Sequence, residues 1–195
     1  MRRIARWQVP LCMIASSVAA ALAGGRGQEV LRWDRDAIAA GELWRLVTGH
    51  LAHLGAAHLA LNLAGLALVW ILVGDRLKPL GWWLVVAFGI AVIDLGFWFL
   101  DPGLAWYVGL SGLLHTLILA GTTAGARTAP LESLALGGLV LAKIVVEQLA
   151  GPLPGSEATS GGPVVVNAHL YGAIAGLAAG GFVLAMRAEW RRAPI

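Results

Sequence analysis

Residues 164–186 read VVVNAHLYGAIAGLAAGGFVLAM. These twenty-three residues hold no Asp, Glu, Lys or Arg, and a helix of about 20 mostly apolar residues crosses about 30 Å of hydrocarbon. Gly172, Gly176 and Gly180 recur every four residues, a stripe of small residues that lets another helix backbone approach closely. His169 stands three residues before the first of these glycines, so it faces the same close neighbour. The stretch predicts a membrane helix packed in a bundle, with one polar side chain turned inward.

Five more windows have the same character: Trp7–Ala23, Leu51–Val73, Leu80–Leu100, Tyr107–Ala124 and Leu131–Ala150, with Val164–Met186 as the sixth. The expected fold is therefore an all-α membrane protein, a bundle of six transmembrane helices forming one domain over residues 1–195. Composition agrees: of 195 residues, 58% are hydrophobic and 13% charged, against roughly 25% charged in a soluble domain. A soluble globular protein is excluded on that ground, since too little polar surface remains to cover a core in water. The single cysteine, Cys12, excludes a disulfide scaffold and multi-cysteine metal sites, and it reads as a small buried residue of the first span.

Charge sets the orientation. Arg2, Arg3, Arg6, Arg76, Lys78, Arg127, Arg187, Arg191 and Arg192 fall on one side, while Arg26, Arg32, Arg35 and Arg45 on the other share a loop with Glu29, Asp34, Asp36 and Glu42. Basic residues mark the cytoplasmic side, so both termini are expected there. The net charge of +3 then reports topology, and a nucleic-acid partner loses its support.

Polar groups inside spans are costly and mark where function concentrates. The candidates are His53, His58, Asn62, Asp94, Ser111, His115, Lys143, Glu147 and His169. Ser111, in Gly109-Leu110-Ser111-Gly112, starts the fourth span, and His169 lies at similar depth in the sixth. Brought together they would have the geometry of a nucleophile and its general base; taken singly, each also reads as a cap or an interhelical polar contact. His58 and Asn62 share a helix face and could donate to an oxyanion or clamp two helices. The histidines at 50, 53, 58, 115 and 169 match no zinc-helix spacing, so no metal is expected. The GxSG segment is not the soluble hydrolase elbow, because Leu113 replaces its last glycine and no strand is expected before it.

Four segments in order resemble the rhomboid family of intramembrane serine proteases: Glu42-Leu43-Trp44-Arg45, His58-x-x-x-Asn62, Gly109-Leu110-Ser111-Gly112, and Ala168-His169 with Gly172 and Gly176. The resemblance implies Ser111 as nucleophile and His169 as base, a dyad without an acidic third member. It implies an oxyanion hole of His58, Asn62 and the Ser111 N–H, supporting roles for Gly109 and Gly112, and an outer loop around Trp44-Arg45 half-sunk in the outer leaflet. It also implies that Trp7–Ala23 is retained, although Arg2-Arg3 and Ala21-Leu22-Ala23 resemble a cleavable secretory signal. No cofactor is implied.

Where many relatives carry a tyrosine one turn after the nucleophile, this chain has His115, which can stack on His169 in its place. With Gly-Leu-Ser-Gly-Leu-Leu-His, that residue resembles the rhombosortase subgroup. The implied substrate is the C-terminal tail of an exported bacterial protein, with a Gly-Gly motif, an apolar helix and a basic end. The implied site is the inner membrane, with the active site opening to the periplasm. Lys143 and Glu147, spaced i, i+4, read as an ion pair on a helix that borders the substrate gate in relatives, and Asp94 as an interhelical acceptor. The rival reading is a non-catalytic rhomboid-like binding protein or small transporter; both Ser111 and His169 are present, which speaks against it.

Overall fold

The computed structural model of the chain describes residues 6–190. Arg2, Arg3, Arg191 and Arg192, counted above as cytoplasmic charges, lie outside them. The protein is mostly helical, and six helices form the bundle: α1 (Gln8–Leu22), α5 (Ala56–Val73), α6 (Pro79–Phe99), α7 (Ser111–Gly125), α8 (Pro130–Ala150) and α10 (Val166–Trp190). Shorter helices decorate the connections: α2 (Gly24–Leu31), α3 (Arg35–Ala39) and α4 (Arg45–Thr48) after α1, and α9 (Ser156–Ser160) before α10. Strands β1 (Trp33–Asp34) and β2 (Trp106–Tyr107) pair antiparallel, Trp33 opposite Tyr107.

Four of the six expected spans are long and apolar enough to cross a membrane; α1 and α7 have only 15 residues each. The fourth is the informative departure. Its window was expected to start at Tyr107, but Tyr107 is in a strand and Gly109 has φ +134°, a backbone that L side chains rarely adopt, so helix begins only at Ser111. Fifteen residues rise about 22 Å, short of about 30 Å of hydrocarbon. The second span is also shorter than expected, starting at Ala56 after the irregular segment 51–55.

Helix α7 stands in the middle, packed against α5, α6, α8 and α10. Its residues from Thr116 to Thr122 are all buried, polar Thr116 and Thr122 included. The glycines of α10 meet it directly. A β-carbon at Gly172 would collide with the carbonyl of Gly112, at Gly176 with that of Thr116, and at Gly180 with that of Ala120. The stripe thus sets the distance at which His169 meets Ser111. Outer helices are apolar on their exposed faces too, as at Leu131, Leu134, Leu139 and Leu149 of α8, the pattern of a helix whose solvent is lipid.

Cys12 is exposed rather than buried. The buried stripe of α1 runs through Val9, Met13, Ser17 and Ala20 at three- and four-residue intervals, and Cys12 falls outside it.

The segment between α1 and α5 is tied down by two arginines. Arg45 is 7% exposed; its guanidinium pairs with Glu42 and donates to the carbonyls of Glu29 and Arg32. Arg35 donates to the carbonyls of Phe97, Trp98, Asp101 and Leu104, the first two being carbonyls that the end of α6 leaves without helical partners. Trp44, Leu43 and Val47 remain exposed on this segment. Asp94 of α6 accepts from Nε2 of His50, 3.2 Å away, which fixes the inner end of the loop to the bundle.

Candidate functional site

Two loops deliver Ser111. The β1–β2 ribbon fixes Tyr107, and the buried Tyr107 hydroxyl donates to the carbonyl of Gly109. Burial pushes that hydroxyl well above its ordinary pKa of 10, so it remains a donor. Gly109 N–H donates to the carbonyl of Gly49. At Gly109 a β-carbon would also stand 3.0 Å from Cε1 of His58, so glycine is required there by both conformation and space. Ser111 follows as the first residue of α7, with Leu110 as N-cap. Its N–H belongs to the first turn, whose donors have no helical acceptor, at the positive end of the helix dipole.

The Ser111 hydroxyl lies 3.0 Å from Nε2 of His169, and Nδ1 of His169 lies 2.8 Å from Oε2 of Glu147. The sequence reading placed no acidic residue beside His169; the structure places the Glu147 carboxylate there. Glu147 is 3% exposed, and the expected Lys143–Glu147 ion pair forms at 2.7 Å, but the same carboxylate oxygen also faces the histidine. His115 stacks on His169, ring centroids 4.4 Å apart and planes 26° from parallel. Its Nδ1 lies 2.7 Å from the carbonyl of Ser111 and its Nε2 3.2 Å from Nζ of Lys143.

Hydrogen-bond chemistry assigns every proton in this cluster. A carbonyl only accepts, so His115 carries its proton on Nδ1 and its Nε2 accepts from Lys143. A carboxylate only accepts, so His169 carries its proton on Nδ1 and its Nε2 is free to accept from Ser111. The bonds form a ring that leaves Ser111 through its hydroxyl and returns to its carbonyl.

His58 and Asn62 face the same cavity of about 750 Å³ as Ser111, Lys143, Glu147 and His169. Leu54 N–H donates to Nδ1 of His58, which leaves the ring proton on Nε2. Asn62 uses one amide proton on the carbonyl of His58, 3.0 Å away, and has a second to give. His53 is elsewhere: its Nδ1 bonds the carbonyl of Leu51, and its ring stands edge-on to His58.

Among the described residues, His115, Glu147 and His169 bring three potential ligand atoms within 4.8 Å of one another. Lys143 Nζ stands among them, 3.2, 2.7 and 3.4 Å from the three residues, so the cation position of the cluster is filled by a side chain. Sequence reasoning did not find this grouping. The available signal was Lys143 and Glu147, two charged residues beyond the first turn of a largely apolar span.

The arrangement can polarise a hydroxyl, take its proton and surround a developing anion with donors. No curated protein matches the chain. The model of the Rhomboid domain matches residues 40–186, three quarters of the chain, and spans every residue of this site. The chain is a multi-pass membrane protein of the rhomboid family, whose members are generally intramembrane serine proteases.

Proposed function

We propose that the protein is an intramembrane serine endopeptidase with Ser111 as nucleophile and His169 as general base. The observation that carries the reading is the 3.0 Å contact between the Ser111 hydroxyl and His169 Nε2, in a cavity lined by unspent donors. As the Ser111 oxygen bonds to the scissile carbonyl carbon, its proton passes to Nε2 of His169. The carbonyl oxygen becomes an oxyanion beside the Ser111 N–H, His58 Nε2–H and Asn62 Nδ2–H. Collapse breaks the C–N bond, and His169 returns the proton to the leaving amine. Water, activated by the same histidine, then releases the acyl group and regenerates Ser111.

The substrate is the C-terminal tail of an exported protein: a Gly-Gly segment, an apolar helix and a basic end. A protease needs extended backbone, and glycine unwinds a helix at low cost. The tail enters between helices, and Ser111 attacks near the Gly-Gly. The short α7 supports this depth, since its about 22 Å rise leaves Ser111 below the outer surface of the bilayer. The resemblance to rhombosortases and the charge pattern support an inner-membrane enzyme with cytoplasmic termini and a site opening to the periplasm. Exposed Leu43, Trp44 and Val47 support an outer loop resting in the outer leaflet.

Co-expression with a reporter carrying such a tail tests the reading. Wild-type protein releases the reporter, whereas Ser111→Ala and His169→Ala protein, present in the membrane at wild-type levels, leaves it anchored. Release by the Ser111→Ala protein contradicts the mechanism.

A further inference from the structure

We infer that Glu147 is a positioning residue for His169, held in place by Lys143 as a built-in counter-cation, so that Ser111, His169 and Glu147 work as a triad. The inference rests on the reading of Ser111 as nucleophile and His169 as base.

The geometry has three parts. Glu147 Oε2 is 2.8 Å from His169 Nδ1, on the opposite side of the ring from Ser111. That contact selects one tautomer, the one whose Nε2 lone pair faces the serine, and it favours the imidazolium that forms when the serine proton arrives. The carboxylate stays ionised throughout and takes no proton, as in triads with aspartate. Secondly, Lys143 sits one helical turn before Glu147 and bonds the same oxygen at 2.7 Å. A lone carboxylate with a side chain 2% exposed would be costly inside the membrane, and the ammonium balances it. Thirdly, Lys143 is itself anchored by Nε2 of His115, whose other nitrogen grips the carbonyl of Ser111.

A purely structural pair would be served as well by two packed apolar residues. The groups against the His169 ring are His115 from α7 and Lys143 and Glu147 from α8; His58 from α5 lines the same cavity, while Asp94 of α6 is engaged by His50. Glu147 is the one carboxylate among them that contacts the imidazole.

The test is the rate at which purified full-length protein in detergent reacts with a fluorophosphonate probe, resolved into the maximal rate and the probe concentration for half-maximal rate. Glu147→Gln is expected to lower the maximal rate by about 10²-fold or more while leaving the half-saturating concentration within about threefold. The double variant Lys143→Met with Glu147→Gln carries no buried charge to misfold around, and it is expected to stay as slow as Glu147→Gln alone. If the double variant recovers the wild-type rate, Glu147 serves only to neutralise Lys143 and the inference is overturned. Wild-type rates in Glu147→Gln itself overturn it equally. If the wild type takes up no probe, or Ser111→Ala takes up as much, the reading of Ser111 fails first; the two failures are therefore distinguishable.

Discussion

The imidazole of His115 lies against that of His169 with ring centroids 4.4 Å apart, and the same ring bridges the carbonyl of Ser111 to the ammonium of Lys143. One residue thus supports the proposed base by contact and the proposed positioning pair by hydrogen bonds. His115→Ala removes both supports. Stacked pairs contribute about 0.5–1.5 kcal/mol beyond burial, so tail cleavage is expected to slow about tenfold. His115→Tyr keeps a ring against His169 and is expected to retain more activity than alanine. Equal losses in the two variants would show that stacking contributes nothing.

His58 offers Nε2–H and Asn62 its second amide proton to the cavity beside Ser111. A donor that meets charge only in the transition state affects the maximal rate rather than substrate affinity. His58→Ala and Asn62→Ala are each expected to reduce kcat for tail cleavage by about 10²-fold with KM little changed. A rise in KM at constant kcat would make these residues a substrate-binding clamp instead.

The glycine stripe of α10 sets the spacing of the whole site. A β-carbon at Gly172 meets the backbone carbonyl of Gly112, and a backbone atom yields less readily than a side-chain tip. Gly172→Ala is expected to destabilise by about 1–3 kcal/mol and to abolish cleavage, because α10 cannot move away without withdrawing His169. Gly181, with open space around its own β-position, is the control; Gly181→Ala is expected to leave thermal stability and cleavage unchanged.

His53 gives stability a pH dependence. Burial first, and then the neighbouring His58, push its pKa down from the ordinary 6.5 to about 4, against the opposing bond from Nδ1 to the Leu51 carbonyl. The unfolded chain takes up a proton below about 6.5 that the folded protein refuses until about 4. Stability is therefore full above 6.5 and falls as pH drops from 6.5 towards 4, by at most about 1.4 kcal/mol per unit. Thermal melts of wild type and His53→Gln should converge at low pH and diverge in slope within that window. Parallel curves would show that His53 accepts its proton in the fold.

The parts legible in the sequence were those written in local pattern. Glycines every four residues announced the close approach of α10, and intramembrane Ser111, His169, His58 and Asn62 stood out against an apolar background. What stayed hidden depends on long-range pairing. Hydropathy ran the fourth span back to Tyr107, because nothing local says that Trp106-Tyr107 pairs with Trp33-Asp34. Glu147 was hidden for a different reason. A lysine four residues before a glutamate satisfies both charges within one helix, so the pattern gives no hint that the carboxylate also reaches His169, 22 positions along the chain. Arg35 read as one of four loop cations, whereas its guanidinium closes the end of α6.

The central claim is that Ser111 is a nucleophile because His169 accepts its proton. Mass spectrometry of the purified protein after reaction with a fluorophosphonate tests it most directly. The account predicts one adduct, on the peptide containing Ser111, formed by the wild type and lost in His169→Ala protein that melts at the wild-type temperature. An adduct at Ser111 forming at an unchanged rate without His169, or none in wild-type protein that cleaves its tail substrate, would contradict it.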